Sequence, residues 1–194
     1  MDLVCASANP DKYIEIVQIL SGAVNLTPRP AGIPEVLENE DSLEGNARLK
    51  AVAIQSATGC PAVADDTGLE VDVLGGAPGV FSARYAGDNA TYQDNVQRLL
   101  KEMEGVVGEE RSARFRTVAL ISWGNGTETI AEGIVEGSIA ETPSGSGGFG
   151  YDSIFVPLAG GGKTFAEMGD EEKNAISHRG VAFRTLKVHL EGRD

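Results

Sequence analysis

Long apolar runs, cysteine, histidine and positive charge are all scarce in this chain, and each scarcity removes a class of function. No apolar run in the 194 residues approaches the roughly 20 needed to cross a bilayer, so a soluble globular protein with no membrane partner is expected. Cys5 and Cys60 have no C-x-x-C partner or histidine cluster, which argues against a disulfide framework or a zinc site. A reducing, cytoplasmic setting with two buried thiols is expected instead. There the N-x-T triplets at Asn89 and Asn125 carry no glycosylation meaning. The N-terminus lacks a basic region ahead of its apolar residues, so no secretory signal is expected and residue 1 is expected to begin the fold. Sixteen basic against 29 acidic residues give a net charge of −13, which disfavours a nucleic-acid partner. A polyanionic ligand would need a local basic pocket or a metal.

The length suits one well-cored domain, or one domain folded as two lobes. Residues 62–69, Ala-Val-Ala-Asp-Asp-Thr-Gly-Leu, stand out within it: a small apolar strand runs into two adjacent carboxylates, a hydroxyl and a glycine able to turn the backbone. Side chains alternate along a strand, so only one of Asp65 and Asp66 can look into a given cleft while strand geometry lasts. One is a candidate catalyst and the other a candidate support; a strand end closed by an aspartate turn is the plainer alternative.

Periodicity places the surroundings. Residues 3–6 read as a buried strand, and Tyr13, Ile16, Val17 and Leu20 follow at helical spacing. The intervening residues 7–12, Ser-Ala-Asn-Pro-Asp-Lys, form a small polar loop at a helix N-terminus, where backbone N–H groups and Lys12 suit phosphate; an Asn-Pro turn that merely caps the helix is the alternative. Residues 24–27 suggest a second strand, followed by the acidic run Glu35, Glu38, Glu40, Asp41. Leu43, Ala47, Ala51 and Ile54 then mark a helix that Gly59 can end, and residues 61–65 a strand. Such alternation of strand and helix indicates an α/β fold.

Further on, residues 75–79 make a glycine-rich loop before Arg84, which can hold a phosphate or a neighbouring carboxylate. Tyr92, Val96, Leu99, Leu100 and Met103 give the cleanest amphipathic helix, read as core. Phe115, Thr117, Ala119 and Ile121 alternate up to the turn Gly124-Asn125-Gly126. The return strand over residues 127–140 is interrupted by Gly133 and Gly137, which suggest bulges or bends. This hairpin is expected to form much of a second lobe.

Gly145, Gly147 and Gly150 satisfy G-x-G-x-x-G, but a strand rather than a helix is expected next, at residues 153–156, so the dinucleotide reading fails. Phe149 inside this glycine run is more telling, because glycines let a planar ligand approach the backbone and the ring offers a stacking face. Residues 160–164 imitate the end of a P-loop, yet Pro157 stands where its first glycine belongs. Near the C-terminus, Lys173, His178 and Arg179 form a donor group at the start of a helix carrying Ala182, Phe183, Leu186 and Leu190 on one side. His189 reads as surface.

Taken together, residues 7–12, 64–68, 75–84, 147–152 and 177–179 resemble, in order, the motifs of the inosine triphosphate pyrophosphatase (Ham1-like) family. The resemblance covers nearly the whole chain, a single ITPase-like domain over residues 1–194. It implies an elongated mixed sheet flanked by helices, with two lobes and the active-site cleft between them. It also implies hydrolysis of noncanonical purine nucleoside triphosphates (ITP, dITP, XTP) to the monophosphate and pyrophosphate, with Mg²⁺, in a homodimer. Position by position, Ser7, Ala8, Asn9, Pro10, Asp11 and Lys12 match the phosphate loop, and Glu38 and Asp66 the metal carboxylates. Asp66 matches the residue the family uses as metal ligand or proton acceptor, two roles the sequence leaves open, with Lys12 beside it in catalysis. Thr67 and Arg84 match substrate contacts, and Phe149, Gly150, Tyr151, Asp152, Lys173, His178 and Arg179 the base-recognition positions. The chain departs from the pattern at Gly45-Asn46-Ala47, where the family often has Glu-Asn-Ala, at Ser153 in place of a proline, and at Thr67 in place of a serine.

Two other classes compete. An aspartyl-nucleophile phosphatase places two aspartates two apart after the first strand, whereas Asp65 and Asp66 are adjacent and follow a later one. A non-catalytic purine-nucleotide sensor needs the same loop, lysines and ring, and stays open on the residues alone.

Overall fold

A computed structural model describes residues 1–191. Its elements begin with β1 (Asp2–Cys5), α1 (Pro10–Leu20), β2 (Asn25–Thr27), α2 (Leu43–Thr58), β3 (Ala62–Val71) and β4 (Pro78–Gly79). They continue with α3 (Tyr92–Glu102), β5 (Ser112–Ser122), β6 (Glu128–Ile139), β7 (Phe155–Pro157), α4 (Asp170–Ile176) and α5 (His178–Glu191). The strands join in a mixed sheet in the order β2-β1-β3-β5-β6-β7, with β4 paired to β3, so the fold is a mixed sheet flanked by helices. Among the described residues no helix is long and apolar enough to cross a membrane.

The chain separates into two compact units. The first comprises residues 1–66, 117–133 and 178–191, and the second residues 67–116 and 134–177. In the first, β1 pairs in parallel with β2 and with β3, each connection crossing over through a helix, as parallel neighbours require. Ile16 and Leu20 of α1 pack with Leu3, Val63, Ile121 and, from α5, Ala182, Phe183 and Leu186. The α1 stripe read from the sequence holds at Ile16 and Leu20, whereas Val17 is exposed. On α2 all four expected apolar positions are buried, and Gly59 ends the helix in the left-handed conformation.

In the second unit β3 and β6 pair antiparallel with β4 and β7, over a core of Leu69, Val96, Leu99, Met103, Phe115 and Phe155. A reciprocal capping box between Thr91 and Asp94 starts α3.

Four expectations change. The strand through the paired aspartates does not end there: β3 runs on to Val71, and Gly68 lies within it without a positive φ. The β5–β6 hairpin is shared, since its tip, residues 117–133, belongs to the first unit and its base to the second. Gly133 and Gly137 have no positive φ and serve clearance rather than turning. A Cβ on Gly133 would sit 2.0 Å from the His178 carbonyl oxygen, and one on Gly137 2.4 Å from that of Val156. Finally, Cys5 is buried as expected but Cys60 is exposed; both are free thiols.

Candidate functional site

In the first unit the alternation of β3 separates its two carboxylates. Asp65 accepts from Arg179 Nε and Nη2 at 3.2 and 3.0 Å and lies 3.2 Å from Lys12 Nζ. Arg179 also donates through Nη1 to Glu15 at 2.6 Å, and both Asp65 and Arg179 are only 1% exposed. Asp66 has different company. Its Oδ1 is 3.0 Å from Lys50 Nζ, whose ammonium also donates to Glu38 Oε2 at 2.9 Å, and its Oδ2 accepts from the Asn46 amide at 3.3 Å. The Asn46 carbonyl oxygen accepts in turn from the Glu40 N–H, which fixes which way the amide faces.

These environments drive the two carboxyls apart. Burial acts to raise both. At Asp65 it is outweighed by Lys12, Arg179 and Lys50, which hold the carboxyl below the usual range. At Asp66 burial prevails over Lys50 and Lys12, helped by the like charge of Glu38, and the carboxyl is pushed up. For Lys50 and Arg179 burial opposes the charged form, but the surrounding carboxylates win and both cations are held more firmly protonated. A firmly ionised Asp65 beside a more basic Asp66 is the pattern that separates a supporting charge from a proton acceptor.

The loop 7–12 lies at the end of β1. Asn9 is the N-cap of α1, its side-chain oxygen accepting from the Asp11 and Lys12 N–H groups, while Ser7 Oγ accepts from Asn9 N–H. Pro10 is at N1, where a missing N–H costs nothing, and Ala8 is exposed. Asn9 thus caps the helix, and capping brings Lys12 onto the first turn within reach of Asp65. The loop that carries Glu38 is tied down by Arg29, which donates to the carbonyls of Ala6, Ile33 and Pro34. Gly45 is in the first turn of α2, where a Cβ would lie 2.7 Å from that of Glu40. The Glu40 side chain covers the position at which this chain departs from the family pattern.

In the second unit Phe149, Gly150, Tyr151 and Asp152 form a turn closed on itself. Asp152 Oδ2 accepts from the Phe149 N–H at 2.8 Å and from Lys173 Nζ at 2.5 Å. A Cβ on Gly148 would come within 2.1 Å of that carboxylate, so glycine is required there. The Lys173 ammonium lies 4.7 Å from the centre of the Phe149 ring, within cation–π range, and Tyr92 is tilted against the ring at 5.9 Å. Tyr151 is buried and donates to the Ser82 carbonyl; burial pushes its hydroxyl well above the usual range. Thr67 is half-buried on β3, and Arg84, also half-buried, stacks on Phe81 at 5.2 Å.

The donor group read near the C-terminus resolves into separate settings. Lys173 serves Asp152 in the second unit, whereas Arg179, in the first, is committed to Asp65 and Glu15. His178 is buried at the start of α5. His189 is exposed. Sequence reasoning missed Lys50, Asn46 and Glu15. The signal for the first two was their place on the buried face of α2 with Leu43, Ala47, Ala51 and Ile54, where a lysine and an asparagine need polar partners. Glu15 is likewise buried on α1, with Ile16 and Leu20.

Comparison with known proteins is consistent from end to end. Residues 3–189 match the Ham1 family. A protein of Streptomyces coelicolor named dITP/XTP pyrophosphatase is 46% identical over 190 residues, 95% of this chain and 94% of its own. One of the same name from Thermus thermophilus is 48% identical over 189 residues, covering 96% and 90%. The solved structure of a HAM1 protein from Coxiella burnetii is 39% identical and superposes with a TM-score of 0.88 over 99% of both chains.

Proposed function

Because the chain belongs to the Ham1 family, we propose that it hydrolyses noncanonical purine nucleoside triphosphates, dITP, ITP and XTP, to the monophosphate and pyrophosphate. The observation that carries this reading is the match along residues 3–189, with relatives of that activity at close to half identity.

The chain's own residues supply a coherent chemistry for it. Lys12 and the N-terminus of α1 offer positive potential for phosphate oxygens, with Ser7 and Asn9 shaping the loop. Asp66, whose carboxyl is raised in the metal-free protein, is assigned the proton of the attacking water; Asp65, held ionised, fixes Lys12 and Arg179. Attack on the α-phosphorus with pyrophosphate leaving requires positive charge around the transferring group.

Mg²⁺ belongs to the same reading. Glu38 and Asp66 would hold it, and the fit is supported by the Lys50 ammonium between them: two carboxylate oxygens already accommodate a cation there. Among the described residues no three His, Cys, Asp or Glu side chains gather as a metal site. The remaining ligands would be phosphate oxygens and water, as is usual for magnesium bound with a nucleotide. When bound, the ion offsets charge on the phosphates.

For the base, Phe149 provides a planar face, and Lys173 a donor oriented by Asp152. Hypoxanthine and xanthine present a 6-oxo acceptor where adenine has a 6-amino donor. Donors facing adenine are left opposed, at a cost on the order of 1–3 kcal/mol each. Arg179 acts in this reading through Asp65. A cytoplasmic homodimer completes it, checked by light scattering of the purified protein.

The test is a mixture of protein, Mg²⁺ and dITP, XTP or ATP, assayed separately for pyrophosphate and orthophosphate. Pyrophosphate from dITP and XTP far faster than from ATP is expected. Orthophosphate as first product, equal rates on ATP, or binding without turnover would each overturn the reading, the last in favour of a nucleotide sensor.

A further inference from the structure

We propose that Lys50 is the resident cation of the Glu38 and Asp66 carboxylate pair, so that the free protein holds no divalent ion and takes one up only together with phosphate oxygens. The inference rests on the metal assignment made above and concerns the order in which the site fills.

The juxtaposition is direct. Lys50 Nζ is 2.9 Å from Glu38 and 3.0 Å from Asp66, its side chain 10% exposed and that of Asp66 9%. An ammonium there occupies the space a divalent ion would need, since magnesium demands oxygens at about 2.0–2.1 Å in octahedral geometry. Two cations cannot share a pair of oxygens without strong repulsion in a poorly solvated setting. Lys50 is also not placed to drift away. It projects from the buried face of α2, flanked by Asn46, Ala47 and Ala51, and Asn46 holds the other oxygen of Asp66.

The local charge balance points the same way. Glu15, Glu38, Asp65 and Asp66 face Lys12, Lys50 and Arg179, four carboxylates against three cations. Three side-chain cations thus offset all but one of the four negative charges before any metal arrives. A hydrated ion arriving alone must displace an ammonium and shed water for two oxygens, whereas an ion arriving on phosphate brings ligands with it and offers Lys50 new anionic partners.

The probe is Mn²⁺, an oxygen-seeking ion whose unbound fraction is read directly by electron paramagnetic resonance. Wild type, Lys50→Met, Lys50→Gln and Lys50→Met/Asp66→Asn, each checked for folding by circular dichroism, are titrated at pH 8 with and without inorganic pyrophosphate, the pyrophosphate series being read against a protein-free blank so that only the ion held by protein is counted. We expect wild type to bind Mn²⁺ weakly alone and at least about tenfold more tightly with pyrophosphate. Lys50→Met or Lys50→Gln should bind Mn²⁺ about tenfold or more tightly than wild type without pyrophosphate, and the double variant should lose that gain. The proposal is overturned if wild type alone binds as tightly as both single variants, if pyrophosphate adds nothing, or if the gain survives Asp66→Asn. Lys50→Gln keeps the test decisive should Lys50→Met not fold. No nucleotide is present, so failure here is distinct from failure to release pyrophosphate from dITP or XTP.

Discussion

Asp65 and Asp66 are consecutive residues of one strand, yet their carboxylates form close ion pairs with different cations: Asp65 with Lys12 and Arg179, Asp66 with Lys50. The period of two along β3 is the cause, since neighbouring side chains cannot share a face. Continuation of the strand to Val71 keeps that separation rigid. One carboxylate thereby anchors α1 and α5 to the sheet while the other meets the loop of Glu38.

Replacing Asp66 tests the division. Asp66→Asn keeps the shape and the Asn46 contact but removes the proton acceptor, so pyrophosphate release from dITP should fall about 10²- to 10⁴-fold. A melting curve recorded beside the kinetics should move far less than the rate. A variant that keeps its rate would take Asp66 out of the chemistry.

Arg179 bears on stability. With Asp65 and Glu15 both facing it in the core, Arg179→Met leaves two buried carboxylates without the counter-charge they share, and a loss of about 3–5 kcal/mol is expected. Urea denaturation measures it. A change under 1 kcal/mol would show that Lys12 suffices for Asp65.

Acid stability has a definite sign. The folded Asp65 carboxyl lies below the ordinary value of about 4, so its contribution is full above that value and is lost as pH falls through the folded one. Asp66, raised, acts oppositely: its folded form takes up a proton first, and acidification from neutrality toward about 4 favours folding through it. Stability measured against pH should therefore lose its acid-side decline, in part, in Asp65→Asn. An unchanged decline would place it on other carboxylates.

Gly133 has no room to grow. Gly133→Ala would drive a methyl to within 2.0 Å of the His178 carbonyl and 2.5 Å of the Ala182 N, both backbone, so the start of α5 must shift. A destabilisation on the order of 1–3 kcal/mol is expected from thermal unfolding, with activity reduced because Arg179 rides on the same turn. A neutral substitution would mean that α5 stands further from β6 than described.

The two thiols should differ in reactivity. Burial pushes Cys5 up to about 11, whereas Cys60 is exposed, so a chromogenic disulfide at pH 8 should label one thiol per native chain and two in denaturant.

Much of this was written locally. Helical spacing at Leu43, Ala47, Ala51 and Ile54, the Gly59 stop and the glycine turn between β5 and β6 are short-range properties, and each appears where periodicity placed it. So does Asn9 as a cap, because its partners are two and three residues away. Gly133 was legible as an anomaly but not as clearance, for the helix it accommodates is 45 or more residues downstream.

By itself the sequence determined the alternation of strand and helix, the pairing of two carboxylates on one strand, and the family to which the motifs belong. Only tertiary structure decided which cation each carboxylate meets. Lys12, Lys50 and Arg179 come from three separate helices, and which of them reaches Asp65 or Asp66 depends on how α1, α2 and α5 pack around β3. Coulombic partners are chosen by distance in space, and no local pattern of residues encodes it.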